Sequence, residues 1–494
     1  MKTLMIYPEF PDTFWSFKHA LKFINKKAAS PPLGLITIAA MLPEDWQLRL
    51  LDLNISKIKK KDIIWADIIL ISAMNIQKKS TIEVIKNCKS LGKTIVAGGP
   101  LFTGEFEQFP DVDHFVLNEA EITLPVFLKD WENGQPKRIY QTEEFADITK
   151  TPAPRWDLIQ MDQYDSLPIQ FTRGCPHNCD FCNITALLGH KVRIKTVNQI
   201  ISELELMVQA GWQRNVFFVD DNFIGNRKFI KENLLPAIIE WKKDKKGLDF
   251  TTEATITLSD DEELMEQMVK AGFKSVFIGI ETPETNSLEE CNKKQNLNRN
   301  LVDSVKKIQR FGMQVSGGFI VGFDNDQPSI FKKQIEFIQN SGIVTAMVGL
   351  LQAPHGTKLY DRLLKEDRLL QEMSGDNTDG TTNIIPAMDI RILHKGYQEI
   401  LSTIYSPVYF YERVKTFLKE YEPRHQNVHL QINEVMALFR SIIRIGILSA
   451  DRKHYWDLFF WSLKNFPKKF PMAITFSIYG FHFRKISQLN NLFA

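Results

Sequence analysis

Short apolar runs recur along the first 120 residues at intervals that leave room for a helix between them. They lie at 3–7 (TLMIY), 47–51 (QLRLL), 68–71 (IILI), 94–97 (TIVA) and 114–117 (HFVL). Runs that are largely apolar rather than alternating predict strands buried on both faces, and hence a parallel sheet flanked by helices. In such a sheet ligands sit beyond the carboxyl ends of the strands. The residues to read there are Pro8, Asp52, Ser72 with Ala73 and Met74, Gly98-Gly99-Pro100, and Asn118-Glu119-Ala120-Glu121. The glycine pair lets a backbone approach closely. Pro32, Leu33 and Gly34 open the helical run 35–42.

After a proline-bearing stretch at 147–154, read as a connector and hinge, a second series begins. Strand-like runs at 168–172, 216–219, 250–253, 275–280, 315–321 and 346–351 alternate with helical segments. Thr196 with Gln199, and Ser259 with Glu262, have capping-box spacing. Gly211, Gly272, Gly312 and Gly342 stand where helices should end in a left-handed residue. Six βα units with right-handed crossovers predict an open, partial barrel whose loops at one face carry the chemistry. The turn-rich stretch 375–383 either crosses the barrel mouth or serves as a connector, and the pattern beyond it is helical, as at 432–447. The fold class is α/β. Residues 1–145 form a Rossmann-like domain, 146–166 a linker, 167–365 a partial (β/α)6 barrel, and 366–494 a mostly helical region.

Composition narrows the field. With 61 Lys or Arg against 59 Asp or Glu, the chain has no overall basic field for nucleic acid. Five cysteines without a pairing framework point to a reducing compartment. No secretory leader and no apolar stretch of about 18 residues is legible, so a cytoplasmic protein is expected.

Three of the five cysteines fall within Cys175-Pro-His-Asn-Cys179-Asp-Phe-Cys182, on one tight loop after a strand. Thiolates bind iron–sulfur clusters and zinc. A cubane normally takes four, so three would leave one iron open to another ligand. The rivals are zinc, completed by His177 or His190, and a chance cluster of cysteines in a loop. Polar groups also gather where later strands end: Asp220, Asp221 and Asn222; Glu253; Glu281; Gly317, Gly318, Ile320 and Asp324. Taken alone, Asp221 or Asp324 reads equally well as a helix cap or a surface pair. His355 reads as a proton donor, a substrate contact or a surface histidine. Lys191, Arg193 and Lys195 read as groups that neutralise a carboxylate or phosphate, or as a solvated basic edge.

The C-x-x-x-C-x-x-C spacing with Phe181 before the last cysteine resembles the signature of the radical S-adenosylmethionine (SAM) enzymes. That resemblance implies a 4Fe–4S cluster on Cys175, Cys179 and Cys182, whose open iron chelates SAM and cleaves it to a 5′-deoxyadenosyl radical. It further implies that Glu253 and Glu281 serve the methionine or ribose portion, that Phe181 and Ile320 contact adenine beside Gly318, and that Asp220 or Asp221 replaces an acidic motif on the second barrel strand.

The segments SPPLGLITIAA, VAGGPLFTGE and VLNEAEITLP resemble the cobalamin-binding domain that precedes the radical core in one large class. Pro32, Gly34, Ser72, Met74, Gly98, Gly99 and Glu119 would then contact cobalamin. The D-x-H-x-x-G motif that supplies a lower axial histidine elsewhere is absent, and Asn118 stands where a glycine often precedes the glutamate. FFVDDNFIGN, FIGIETP and GGFIVGFD look most like the subgroup containing the hopanoid C-2 methylase. The implied activity is C-methylation at an unactivated carbon, of a lipid such as a hopanoid, with an external electron donor such as flavodoxin or ferredoxin. Rearrangement, cyclisation or oxidation without methyl transfer, and a non-enzymatic cobalamin or metal sensor, are the alternatives.

The tail 451–494 carries Trp456, Phe459, Phe460, Trp461, Phe466, Phe470, Phe476, Tyr479, Phe481, Phe483 and Phe493, with seven Lys or Arg against two Asp. It reads as an aromatic-rich helical cap on the core, as a peripheral membrane contact at the inner face, or as a surface for a partner's groove.

Overall fold

The structure is a computed structural model that describes residues 1–245, 247–370, 373–376, 378–424 and 432–489. Asn377, within the stretch 375–383, and Phe493 of the aromatic tail lie outside the described residues. Two parallel six-stranded sheets organise the chain. The first contains β1 (Lys2–Tyr7), β2 (Gln47–Asp52), β3 (Ile68–Ser72), β4 (Thr94–Gly98), β5 (His114–Val116) and β6 (Ile139–Tyr140), in the order β2-β1-β3-β4-β5-β6. Its five predicted strands are present. β6 was missed because a two-residue run carries no periodicity. Met5, Ile6, Ile69 and Ile71 are buried, as strands covered on both faces require. The covering helices include α1 (Leu33–Ala39), α2 (Lys78–Lys89) and α3 (Ala120–Glu132).

The second sheet is a sequential, curled run of β7 (Leu167–Ile169), β10 (Asn215–Phe218), β11 (Asp249–Ala254), β12 (Phe273–Glu281), β13 (Gln314–Val321) and β14 (Ala346–Leu350). Between its first two strands a short antiparallel ribbon, β8 (Thr172–Arg173) with β9 (Arg193–Ile194), frames the cysteine loop. Outside the barrel lie α4 (Val197–Gln209), α5 (Leu235–Lys242), α6 (Glu262–Ala271), α7 (Leu301–Arg310) and α8 (Ile330–Ser341). The Thr196–Gln199 capping box forms as expected. The second does not: Asp261 caps α6, accepting from the Leu264 N–H at 3.0 Å, while Ser259 lies in a preceding 3-10 turn. The four predicted helix-ending glycines all have positive φ.

Strand alternation gives the barrel an inner wall. In β12 the buried Val276, Ile278 and Ile280 face the helices, and Ser275, Phe277 and Gly279 face inward. The loop after β1 reaches this wall. There the Trp15 indole N–H donates to Met347 Sδ at 2.9 Å, and its ring meets Phe277 edge-on.

The stretch 147–154 is not a free hinge. Asp147 caps a 3-10 turn (Ile148–Lys150), Ile148 is buried, and Gln199 Nε2 donates to the carbonyls of Ile148 and Thr151. Arg155 N–H bonds the Ile36 carbonyl of α1. Prolines stiffen this connector, and packing of the apolar residues between them fixes it.

α9 (Lys358–Lys365) follows the last barrel strand, and the C-terminal region contains α10 (Ile390–Ile404), α11 (Pro407–Glu420), α12 (Ile432–Ser441), α13 (Arg452–Asn465) and α14 (Phe470–Leu489). Phe476 and Phe483 are buried, and Phe14 stacks on Phe483 at 4.3 Å. Most of the aromatic tail is therefore a cap on the core. Among the described residues no helix is long and apolar enough to cross a membrane.

Candidate functional site

The carboxyl edges of the two sheets face each other. Arg173 ends β8, two residues before Cys175. Its guanidinium lies 3.0 Å from Glu119 and 2.8 Å from Glu121. Arg193 on β9 approaches Glu119 at 2.6 Å. Glu119 also accepts from the Ala146 N–H at 3.0 Å, and Glu121 from the Thr151 hydroxyl at 2.8 Å. Both glutamates follow β5, so four charges tie the first sheet's edge to the loop bearing the cysteines. Burial opposes the charge on Arg173, but Glu121 and Glu119 outweigh it and raise its pKa. Of the two readings, neutralising a carboxylate is therefore the one Arg193 follows, and likewise Lys195, which is buried against Glu203 at 2.5 Å; neither is a solvated basic edge. Lys191 is exposed.

The cysteine loop starts at Gly174, with φ of 91°, where an added Cβ would lie 2.7 Å from the Lys191 carbonyl. Only glycine fits there without displacing backbone. The Cys175 N–H bonds the Gly189 carbonyl and the Cys182 N–H bonds that of Cys179. Burial pushes the Cys182 thiol up to about 12 and also raises Cys175, so a bound metal centre must displace their protons.

A segment that sequence reading overlooked, Cys291–Asn296, closes on this loop. Asn292 Nδ2 donates to the Asn178 carbonyl at 2.8 Å, Gln295 Nε2 to Cys179 Sγ at 3.5 Å, and the Asp180 N–H to the Cys291 carbonyl. Lys293 pairs with Glu281 at 2.6 Å and lies 5.8 Å over the Phe181 ring. Asn296 Nδ2 donates to the carbonyls of Gly279 and Ile280. These bonds hold an irregularity in β12, after which Glu281 adopts φ of 63°. A non-glycine residue in that region is strained, and such strain concentrates at functional sites. The available signal was the dense amide and lysine run NKKQN after FIGIETP.

Across the barrel mouth lie Asp220, Asp221 and Glu253, a cluster without a cation among the described residues. One Asp220 oxygen accepts from the backbone N–H groups of Phe171 and Thr172, and the other is buried without a partner. Burial and mutual repulsion push Glu253 up to about 8 and Asp220 to about 7; burial takes Asp221 to about 6. Such a cluster suits a cationic ligand.

Phe181 and Ile320 pack in one group with Phe323 and Leu351. Gly318 faces inward, where a Cβ would meet Phe277 at 2.8 Å. Asp324 is committed to Arg368 and Arg362 at 2.6 and 2.8 Å, the surface-pair account. His355 packs against Tyr360.

On the first sheet's edge a Cβ on Gly99 would lie 2.6 Å from Ser72 Oγ, so the Gly98-Gly99 turn sits directly against the end of β3. Pro32 and Gly34 begin α1, and Met74 is exposed. Asn118 has φ of 61°, the left-handed conformation that explains why glycine also suits this position. Neither histidine of residues 1–145 stands at this edge. His114 lies on β5 with Nδ1 2.7 Å from the Lys137 carbonyl oxygen, and His19 faces Asp12. Gly375 abuts Asn75 and Ile76, while Gln352 Nε2 donates to the carbonyls of Asp376 and Thr381. The turn-rich segment thus bridges from β14 to the first sheet's edge.

The Radical SAM superfamily matches residues 169–338, and a domain of unknown function (DUF4070) matches 357–491. An uncharacterized methyltransferase of Synechocystis sp. is 38% identical over 99% of this chain and 92% of its own. The hopanoid C-2 methylase of Rhodopseudomonas palustris is 32% identical over 92% of this chain and 88% of its own. The chain belongs to the radical SAM family that contains the hopanoid C-2 methylase. It is thus a radical SAM enzyme of the methyltransferase kind.

The fold of this radical SAM enzyme agrees. OxsB with aqua-cobalamin and SAM superposes with a TM-score of 0.64 at 15% identity, covering 99% of this chain and 79% of that one. TsrM from Kitasatospora setae, with cobalamin and a [4Fe-4S] cluster, gives 0.61 at 13% identity over 99% of each chain. Among the described residues no three His, Cys, Asp or Glu side chains are disposed about a single ion. A cubane presents separate corners to separate thiolates, and the thiol set fits it. The uncompensated Asp220, Asp221 and Glu253 fit a cationic nucleotide.

Proposed function

We propose that this radical SAM enzyme methylates an unactivated carbon of an apolar substrate of the hopanoid class. The observation that carries the reading is the apposition of the two sheet edges. The four-charge contact ties the sheet edge that bears Ser72, Gly98 and Gly99 to the cysteine loop, which supports a corrinoid site facing a SAM site. In this reading residues 1–145 carry the corrinoid, 146–166 join, 167–365 hold cluster and SAM, and 366–494 close on the core. Similarity to the hopanoid C-2 methylase over most of both chains supports the substrate class.

Cys175, Cys179 and Cys182 would hold the cluster, with Gln295 donating to one sulfur. Asp221 and Glu253 would receive the cationic part of SAM, and Asp220 would brace the strand end between them. Glu281, held by Lys293, would meet the nucleotide through its neighbourhood rather than as a free carboxylate. Phe181 and Ile320 would form the apolar side of the adenine pocket. Together the bound cofactors supply a hydrogen-abstracting radical and a methyl donor; a C–H bond without acidity offers no other handle. Trp15, Phe277 and Met347 line the inner wall with apolar surface suited to a lipid skeleton. An external one-electron donor of the flavodoxin or ferredoxin kind completes the cycle.

The test is anaerobic turnover of the reconstituted protein with a hopanoid, reductant and methyl-labelled SAM. Label in the hopanoid product supports the proposal. Formation of 5′-deoxyadenosine with unlabelled product would assign a radical reaction without methyl transfer.

A further inference from the structure

We infer that the α12–α13 hairpin is a docking surface for an anionic lipid bilayer. Val435 and Phe439 on α12, and Ile443 and Ile447 on the π-helical turn Ile442–Ile447 that extends it, recur four residues apart, and all are exposed. Leu448, at the turn between the helices, is 74% exposed. The stripe continues onto α13, where Trp456 stacks with Phe460, itself 62% exposed, and Leu463 lies a turn further on.

The opposite face holds the hairpin rigid. Ala437, Ser441 and Ile445 are buried, Ser441 Oγ lies 2.8 Å from Tyr455 Oη, and Trp456 Nε1 donates to the Gly446 carbonyl at 2.9 Å. The apolar stripe is therefore preformed rather than frayed. Isolated exposed leucines need no explanation; a continuous stripe over two helices does.

Charge selects the occupant. Arg444 adjoins Ile443, Arg452 and Lys453 follow Leu448 by one turn, and Lys464 adjoins Leu463. None of these four cations is in an ion pair among the described residues. The acids nearby are Glu434, Asp457 and Asp451, and Asp451 is committed to Arg484 at 2.6 Å. A second copy packed on this face would bring like charges together, whereas an anionic leaflet attracts Arg452, Lys453 and Lys464. An apolar stripe edged by cations, on a hairpin too polar to span, matches a helix pair lying in the interface plane.

The hairpin also touches the chain that enters the barrel. Arg440 Nη1 donates to the Phe23 carbonyl at 2.7 Å and Arg444 lies over the Phe23 ring, in the segment following Trp15. That an apolar substrate leaves the bilayer at this point rests on the function proposed above; the docking itself does not.

The experiment is cosedimentation of the full reconstituted chain with vesicles of phosphatidylcholine alone, or with about a third phosphatidylglycerol. Binding to the anionic vesicles and little to the neutral ones is expected. Ile447→Asp with Leu448→Asp should lower it about tenfold or more. Arg452→Glu with Lys453→Glu should lower it about fivefold for each cation lost. Because these side chains are exposed, the variants should keep the wild-type melting temperature and SAM cleavage. Equal pelleting of wild type and variants would overturn the proposal, as would a dimer in solution that Leu448→Asp dissolves. Methyl transfer to detergent-dispersed hopanoid is read separately, so loss of docking and loss of the catalytic reading are distinguishable.

Discussion

Arg193 Nη2 lies 2.6 Å from a Glu119 oxygen across 74 positions of chain, and with Arg173 and Glu121 it joins the two sheets at the level of the cysteine loop. All four side chains are largely buried. Removing one charge leaves its partner desolvated, at a cost of about 3–5 kcal/mol. Arg193→Ala should therefore lower the unfolding free energy by that order. The gentler Glu119→Gln should retain iron but weaken cobalamin binding and raise the ratio of 5′-deoxyadenosine to methylated product. An unchanged ratio and unchanged cobalamin affinity would show that the contact is structural only.

Glu253, Asp220 and Asp221 are held at about 8, 7 and 6, above the ordinary carboxyl range. In the cofactor-free chain they retain protons that the unfolded chain has released, so folded-state stability falls as pH rises through this window. The expected loss between about pH 5 and about pH 8 is on the order of a few kcal/mol. Glu253→Gln should flatten the profile, and SAM, bringing positive charge, should oppose the loss. Thermal melts across pH with and without SAM read both effects.

Gly174→Ala places a Cβ against three backbone carbonyls at a positive φ. The loop must shift, at a cost of about 1–3 kcal/mol, and iron retention should fall with it. Iron content and a denaturant titration check this together.

Gln295 donates to Cys179 Sγ. Hydrogen bonds to cluster sulfurs raise reduction potential, so Gln295→Leu should retain iron and shift the potential downward. An unshifted potential in a redox titration would remove Gln295 from the cluster's surroundings.

Most strands of the first sheet were legible because burial on both faces writes them as short apolar runs, whereas Asp249–Ala254 and Phe273–Glu281 in the second alternate between a packed outer face and a more open inner one. The cysteine trio was legible because its spacing is local. Lys293, Gln295 and Arg193 were not, since their partners lie on other elements and a lysine or arginine in sequence looks like solvated surface. Glu119 shows the same limit. Position at a strand end marked it as a ligand contact, while its carboxylate is occupied by Arg173 and Arg193. The 147–154 connector was misread as a hinge because proline reports local stiffness and not what the residues between pack against.

The account turns on the three thiols of Cys175, Cys179 and Cys182 holding a cubane with one open iron. The direct measurement is electron paramagnetic resonance of the anaerobically reconstituted, reduced protein, with iron and sulfide quantified and SAM then added. About four irons and four sulfides per chain, lost in Cys179→Ala, and a cluster signal that changes on adding SAM are the predicted result. Zinc in place of iron, full iron content in Cys179→Ala, or a signal indifferent to SAM would contradict it.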